Sequence, residues 1–359
     1  MKNIMERKLS AINIAMMYLG AILGAGFASG RECWQFFGVF GRKGYFGAVF
    51  TTVVFVILAL MLTYIARSKN TMDLGKLISP FDNYALESAI GYILAGIYYT
   101  LIISMSAAGG SLLHQELGID RRIGGILLVV LVLLTVFGDF ERLTRAFGFL
   151  VPGVFVIGIV TIFTIIVSGK FHQSGAVSGF PASEMAPYWW ISGIVFAAYN
   201  SLGFITMAGG CALQAKDSKT AYRGAFLGSF LPGLMTVLLL VALRKDMAFS
   251  ATLDLPMLGY SLRISKVLNI LYALILYGSI YSTAAGTFYG FSTKLPRNRF
   301  KKPIMVAAAF AGFGIGLSGF KTLVAYLYPP QGYIGIIFIG MIVMNFFKEK
   351  SKSSQKLHV

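Results

Sequence analysis

The stretch that decides the fold is LGAILGAGFASG, which runs from Leu19 to Gly30. It lies inside an apolar run over residues 11–40, which is long enough to cross a bilayer. Four glycines fall within eleven residues, at the depth where a spanning helix should be most regular. In hydrocarbon, a broken helix survives only where neighbours, water or a ligand satisfy the freed backbone groups. The stretch therefore predicts a break in the first spanning helix and a binding site beside it.

The glycine spacing also has a simpler interpretation. Gly20 with Gly24, and Gly26 with Gly30, both fit a small-xxx-small pattern. That pattern usually marks a close contact between two unbroken helices. A second stretch of the same kind, half a chain later, favours the break.

Composition sets the class of protein. Of the 359 residues, 57% are hydrophobic and 13% are charged, and the mean hydropathy is +0.74, which excludes an ordinary soluble domain. The net charge of +17 does not indicate nucleic acid as a partner, because the basic residues cluster in short loops between apolar runs and serve as topology signals. Cys33 and Cys211 form no CxxC motif, so neither a disulfide framework nor a metal site is implied.

The hydropathy pattern predicts an all-α polytopic membrane protein, with residues 1–359 forming a single transmembrane domain. At about 20 residues per spanning helix, the chain holds about ten transmembrane helices. The predicted spans are 11–40, 44–66, 86–112, 121–138, 147–168, 188–213, 224–243, 264–291, 303–319 and 322–347.

The distribution of basic residues predicts the orientation. With the N-terminus inside, the inner loops carry 20 of the 31 lysines and arginines, which leaves 11 for the outer side. This asymmetry favours two cytoplasmic termini and an even number of spans. We expect a multi-pass protein of the bacterial cell (inner or plasma) membrane, with the lipid bilayer as a partner.

Span six contains the second polar, glycine-rich stretch, YNSLGF from Tyr199 to Phe204. Gly203 follows Gly26 by 177 positions, which suggests an internal duplication. Two further pairs share this offset: SAAG at 106–109 with TAAG at 283–286, and Pro152 with Pro329.

A duplicated unit of five helices has an odd number of crossings, so its two copies must lie upside down relative to one another. We therefore expect two inverted five-helix repeats, at about 11–168 and 188–347, with helices 1 and 6 interrupted. Inverted repeats with matching broken helices are typical of secondary transporters that bind their substrate near the bilayer midplane.

Two short motifs resemble a known superfamily. GAILGAG from Gly20 to Gly26 and SLGF at 201–204 are similar to the first-helix and sixth-helix breaks of the amino acid–polyamine–organocation superfamily. Its five-plus-five inverted-repeat fold is typified by the bacterial leucine transporter. More narrowly, GAGFASGRE from Gly24 to Glu32 resembles the start of the YkvI-like bacterial membrane proteins, and this resemblance covers nearly the whole chain. Neither motif specifies a substrate.

The resemblance implies sodium as the coupling ion and no other cofactor. In the superfamily, the ion sits between carbonyl oxygens of the first-helix break and hydroxyl groups of helix eight. Serine and threonine hydroxyls in a helix also bond back to their own helix carbonyls, so a purely structural role stays open. The matching residues in this chain are Gly20, Leu23, Ser279, Ser282 and Thr283.

The substrate is expected between the two breaks. The amides of Ala25 and Gly26 start a half-helix, whose positive dipole end suits a carboxylate. Tyrosines in span three could donate a hydrogen bond or close the site, although packing roles explain them equally well. The other predicted substrate residues are Tyr98 and Tyr99 in span three, and Ser201 and Gly203 in span six.

Arg31 and Glu32 are charged residues inside the first predicted span. In a continuous helix they would stand about 10 Å outward from Gly26, at 1.5 Å per residue. Ionisable groups at such depth are functional candidates. The sequence leaves three roles open: an extracellular gate, a proton-coupling carboxylate, or a mutual ion pair.

These features predict an ion-coupled secondary transporter of a small organic solute, such as an amino acid, that works by alternating access. A ligand-sensing membrane receptor that moves nothing is the alternative on the same fold. An enzyme is not expected, because the three histidines are far apart and no HExxH, GxSxG or Walker A motif occurs.

Overall fold

The computed structural model of this chain describes residues 8–137, 140–169, 171, 179–296 and 298–355, with no description of the side chains of Ala25 and residues 140–151. A 3-10 helix covers Gly38–Phe40, and α-helices form the other regular elements of these ranges. The helices are α1 (Ala11–Ile22), α2 (Ala25–Ala28), α3 (Arg31–Phe36), α4 (Lys43–Lys69), α5 (Leu74–Ile78), α6 (Tyr84–Leu117), α7 (Arg121–Phe137), α8 (Phe140–Val167), α9 (Trp189–Gln214), α10 (Ser218–Leu243), α11 (Met247–Thr252), α12 (Pro256–Ile264), α13 (Lys266–Ser292), α14 (Lys301–Gly316), α15 (Phe320–Tyr326) and α16 (Tyr328–Gln355).

Each predicted span has a helical counterpart in this architecture. Six stretches are long and apolar enough to cross a membrane on their own: α4, α6, α9, α10, α13 and the pair α15 and α16. The remaining predicted spans fall on the interrupted series α1 to α3, on α7 with 17 residues, on α8 and on α14 with 16 residues. The chain is a polytopic, all-α membrane protein, as predicted.

The first span is interrupted twice, as its glycines suggest. The α-helix α1 ends at Ile22, and Leu23 leaves the helical conformation with ψ near 51°. After four residues of α2, Gly30 takes a left-handed φ of 78°, which a residue with a side chain rarely adopts. The hydroxyl of Ser29 donates to the Gly26 carbonyl at 2.8 Å and accepts from the Arg31 amide at 3.2 Å. These bonds satisfy part of the interrupted backbone.

Neighbouring elements satisfy further backbone groups of the break. The Tyr272 hydroxyl in α13 donates to the Ala28 carbonyl at 2.6 Å, and the Met257 amide in α12 donates to the Ser29 carbonyl at 3.0 Å. The break is therefore supported by protein contacts, the condition under which irregular backbone is tolerated at membrane depth.

The predicted interruption of helix 6 is wrong: α9 is a single continuous helix from Trp189 to Gln214. Its polar residues bond back to their own helix, since Asn200 donates to the Phe196 carbonyl and Ser201 to the Ala197 carbonyl. Gly203 serves close packing, because a Cβ there would lie 2.6 Å from the carbonyl oxygen of Ala21. At this glycine, the close contact between two helices is the interpretation that applies, and not a break in the helix.

Helices α1 and α9, which occupy corresponding positions in the two predicted repeats, run in opposite directions. The Leu9 amide, just before α1, donates to the Gln214 carbonyl at the end of α9, at 2.8 Å. The end of α4 reaches the same face, where Arg67 donates to the Ala212 carbonyl at 2.9 Å. We call this the terminal face, because the Ser68 hydroxyl also contacts Glu349 near the end of α16. The antiparallel course of α1 and α9 agrees with inverted repeats, whereas the repeat boundaries stay a prediction.

Candidate substrate cavity

A cavity of about 430 Å³ adjoins the break in the first span. This volume lies within the range of roughly 300–1,000 Å³ typical of small-molecule sites. Its walls come from the break and from the middle parts of α6, α9 and α13, with one residue each from α3 and α16. The cavity therefore lies where the sequence placed the binding site.

Seven of the predicted site residues line this cavity. Leu23 and Ser279 lie just behind its wall, Arg31 points away from it, and the side chain of Ala25 falls outside the described part of the chain. The residues that the fold brings together are Gly20, Gly26, Glu32, Tyr98, Gly203, Ser282 and Thr283.

Two predicted substrate residues are directed elsewhere. The Tyr99 hydroxyl donates to the Ala308 carbonyl at 3.0 Å, and its ring packs against Phe291. Consecutive helix residues point about 100° apart, so the fold selects Tyr98 for the cavity and Tyr99 for packing. Ser201 is buried and donates to the Ala197 carbonyl at 2.6 Å. Neither residue lines the cavity, and their assignment to the substrate site stays a prediction.

The residues predicted to hold sodium gather at the first interruption. Ser279 donates to the Leu23 carbonyl at 3.5 Å, which joins α13 directly to the break. The Thr283 hydroxyl oxygen lies 3.7 Å from the point where a Cβ on Gly24 would stand. Ser282 bonds back to the Ser279 carbonyl at 3.0 Å, which matches its structural interpretation. Among the described residues, the Thr283 hydroxyl has no hydrogen-bond partner, so its oxygen is available to the cavity.

Glu32 faces the cavity directly, at the level of the break. Its side chain is 3% exposed, and a Cβ built on Gly26 would lie 1.8 Å from its Oε1. The expected separation of about 10 Å from Gly26 is wrong, because the left-handed turn at Gly30 folds α3 back toward α2. The Tyr199 hydroxyl donates to Glu32 Oε1 at 3.4 Å.

This position of Glu32 changes the electrostatics of the predicted carboxylate site. The protein's own carboxyl group packs against Gly26, where the carboxylate of a solute was expected. Two carboxylates at van der Waals distance repel one another in a low-dielectric site. The expectation that Ala25 and Gly26 bind a solute carboxylate is therefore not supported by the geometry.

Arg31 closes the face opposite to the terminal face. Its Nη1 donates to the carbonyls of Ala251 and Leu253 at 3.4 and 3.3 Å, and its Nη2 donates to Gln35 Oε1 at 3.0 Å. Arg31 and Glu32 do not form the ion pair left open above, because adjacent helix residues do not face each other. The position of Arg31 agrees with a gate.

The cap over this face is built from the two short helices α11 and α12. The hydroxyl of Tyr260 in α12 donates to the Asp246 carbonyl, at the start of α11, at 2.9 Å. Burial raises the pKa of Tyr260 to about 12, so this phenol keeps its proton at physiological pH. Lys321 Nζ also donates to the Ala251 carbonyl at 2.8 Å. Several elements thus hold the cap against the start of α3.

The barrier toward the terminal face is thinner. Tyr98 and Gly290 line both the central cavity and a second cavity of about 320 Å³ nearer that face. A Cβ on Gly290 would lie 3.0 Å from Cδ2 of Tyr98, so the aromatic ring rests against the glycine. The second cavity also contains Asp73, Glu87 and Lys294. One aromatic side chain therefore stands between the two spaces.

Sequence reasoning missed the contribution of span ten. Gln331 in α16 lines the cavity and is 3% exposed, and Tyr328 lies one turn earlier with its ring 4.8 Å from that of Tyr199. The available signal was YPPQGY at 328–333, which sets a glutamine inside an apolar run. A polar side chain at membrane depth is such a signal on its own.

Comparison with known proteins agrees with this geometry. No protein-family model matches the chain. The chain is 26% identical over 362 residues to the membrane protein YkvI of Bacillus subtilis (strain 168), covering 94% of this chain and 96% of YkvI. It is 23% identical over 343 residues to YyaD of the same strain, covering 92% and 95% of the two chains.

Among solved structures, the inward-facing conformation of Mhp1 is similar with a TM-score of 0.61 and 12% identity, over 94% of this chain and 76% of Mhp1. The manganese transporter of Eremococcus coleocola is similar with a TM-score of 0.51 and 12% identity, over 94% of this chain and 85% of the transporter. The chain shares the fold of these proteins. The predicted resemblance to YkvI-like proteins and to the leucine-transporter fold is confirmed.

Proposed function

We propose that this chain is a secondary transporter that moves a small organic solute, such as an amino acid, across the bacterial cell membrane by alternating access. The observation that carries this proposal is one solute-sized cavity at a broken helix with unequal barriers on its two sides. A cap held by Arg31 covers one side, and Tyr98 stands on the other. If one barrier opened while the other closed, the cavity would face first one side of the membrane and then the other.

The transporters that share the fold support the same proposal. The basic residues favour the terminal face as the cytoplasmic one. With that orientation, the conformation described here is closed toward the outside and has its thinner barrier toward the cytoplasm.

Sodium is the proposed coupling ion. The Leu23 carbonyl and the hydroxyls of Ser279 and Thr283 lie together at the interruption, and they offer neutral oxygens to a hard cation. An ion there would tie α13 to the broken span, and it can shift the conformational equilibrium only if it binds one state better than the other.

Thr283→Ala is expected to raise the sodium concentration needed for half-maximal uptake by about fivefold, because one net polar interaction is worth about 1 kcal/mol. Uptake of amino acids, amines and small carboxylates would be measured in proteoliposomes under sodium or potassium gradients. Ser292→Ala is the control, since that hydroxyl bonds to the Tyr289 carbonyl at the end of the same helix. Uptake that is the same with sodium and potassium, and is unchanged in Thr283→Ala, would contradict the proposed sodium site.

A further inference from the structure

The carboxyl group of Glu32 lacks a positively charged partner. Its side chain is 3% exposed, and the bond from the Tyr199 hydroxyl is its one contact of hydrogen-bonding length among the described residues. Arg31, the adjacent cation, is directed to Gln35 and to the carbonyls of the cap. Burying a charge is costly unless it is paired, so a cation bound beside Glu32 would stabilise the ionised form of its carboxyl group.

A second unpaired acceptor belongs to another residue that lines the same cavity, Gln331. Gln331 is 3% exposed and uses its Nε2 to donate to the Leu327 carbonyl at 3.3 Å. Its Oε1 is buried and has no hydrogen-bond partner in the described part of the chain. The native interior satisfies most such atoms, and each exception calls for an explanation.

Two tyrosines lie between the carboxyl group of Glu32 and the amide of Gln331. Tyr199 donates to Glu32, its ring contacts the ring of Tyr328, and Tyr328 lies one helical turn from Gln331. The Tyr328 hydroxyl is also buried and unpartnered among the described residues. Broken span one and span ten thus bring a carboxyl group and a free amide oxygen into one cavity.

We infer that Glu32 and Gln331 form the subsite for a protonated amino group of the solute, with Tyr199 and Tyr328 as positioning residues. This inference rests on the proposed function and specifies its substrate class as a primary amine or a zwitterion bound through its ammonium end. An ammonium group has three donors and no acceptor, so it can satisfy Glu32 and Gln331 together.

Other solute groups fit this subsite less well. A carboxylate offers only acceptors, so it would leave Gln331 Oε1 unpaired and set a second negative charge beside Glu32. An apolar group would leave both acceptors unpaired, at the desolvation cost of each. The donor and acceptor pattern therefore selects for positively charged N–H donors.

The test is ligand-dependent thermal stability of the full-length protein in detergent. The probes are matched sets on short aliphatic, branched and aromatic skeletons: the primary amine, the amino acid, its N-acetyl derivative and the carboxylic acid without the amine. A compound that binds only the folded state raises its melting temperature. We expect shifts with amines or amino acids and none with the N-acetyl derivatives or the simple acids.

Two variants test whether Glu32 and Gln331 cause the amine-dependent rise in melting temperature. Glu32→Gln should weaken ammonium binding at least roughly tenfold, as expected for losing a hydrogen bond to a charged group. Gln331→Leu should weaken it by a smaller factor. Glu116→Gln is the matched control, because that glutamate accepts a bond from Asn269 and lies outside the cavity.

The outcomes separate this inference from the proposed function. Stabilisation by acids or N-acetyl derivatives equal to that by amines would overturn it, as would amine shifts that persist in both variants, or no shift with any probe. Ammonium-selective binding that is lost in Glu32→Gln supports it even if later flux assays detect no transport. In that case only the transport proposal fails.

Discussion

Replacing Gly26 by alanine is expected to abolish high-affinity solute binding while the protein stays folded. The new Cβ would lie 1.8 Å from Glu32 Oε1, so the carboxyl group must leave its position at the break. The cost to stability should be small, because the displaced atom is the end of a flexible side chain. Gly26 also has no left-handed φ that alanine would strain. We expect binding to weaken at least roughly tenfold, the loss of one charge-assisted contact.

A double-mutant cycle identifies the cause of that loss. If Gly26→Ala acts by moving the carboxyl group, it should weaken binding little further in a Glu32→Gln background, because the two changes share one interaction. Gly96→Ala serves as the control, since no other atom of the described residues, apart from its chain neighbours and its own helix backbone, lies within 4 Å of its ideal Cβ. Fully additive losses of affinity would show that Gly26 and Glu32 act independently.

Gly203→Ala is expected to destabilise the protein by about 1–3 kcal/mol, the usual cost of overpacking a tight contact. The added methyl group would lie 2.6 Å from the Ala21 carbonyl oxygen, and backbone cannot rotate away as a side chain can. The helices α1 and α9 would have to separate at the level of the cavity.

Gly210→Ala in the same helix is the matched comparison. Apart from its chain neighbours and its own helix backbone, no atom in the described part of the chain lies within 4 Å of its ideal Cβ. The substitution should therefore raise stability by about 0.5–1 kcal/mol through the better helix propensity of alanine. Melting temperatures of both variants in detergent provide the measurement. Equal melting temperatures would mean that Gly203 makes no tight contact with α1.

The broken first span could be predicted from sequence because its cause is local. Four glycines within eleven residues remove side-chain constraints, and one of them, Gly30, does take a left-handed φ. The same reasoning misjudged Gly203, since a glycine permits either an unwound turn or a close helix contact. The Ala21 carbonyl that decides between them is 182 residues away in sequence, and no pattern within α9 reveals it.

The candidate site could be predicted only in part from the sequence. The resemblance to the superfamily, and not a pattern within span eight, implied that Thr283 lies near the break, and the structure brings its hydroxyl oxygen to 3.7 Å from the ideal Cβ position of Gly24. Glu32 was assigned the wrong depth, because the rise of a continuous helix was applied across the turn at Gly30. Gln331 was missed although its sequence carried a signal, a glutamine inside an apolar run; only the fold shows that it lines the same cavity as Glu32.

Transport through the central cavity is the central claim, and solute counterflow tests it most directly. Proteoliposomes would be loaded with an unlabelled solute that stabilises the protein, then diluted into a trace of the labelled compound with no ion gradient. We predict transient accumulation of label by the wild-type protein, and clearly less accumulation by Gly26→Ala at the same solute concentration, because its binding is weaker. Saturable binding of the same solute without any counterflow would contradict the claim and would favour a membrane receptor on this fold.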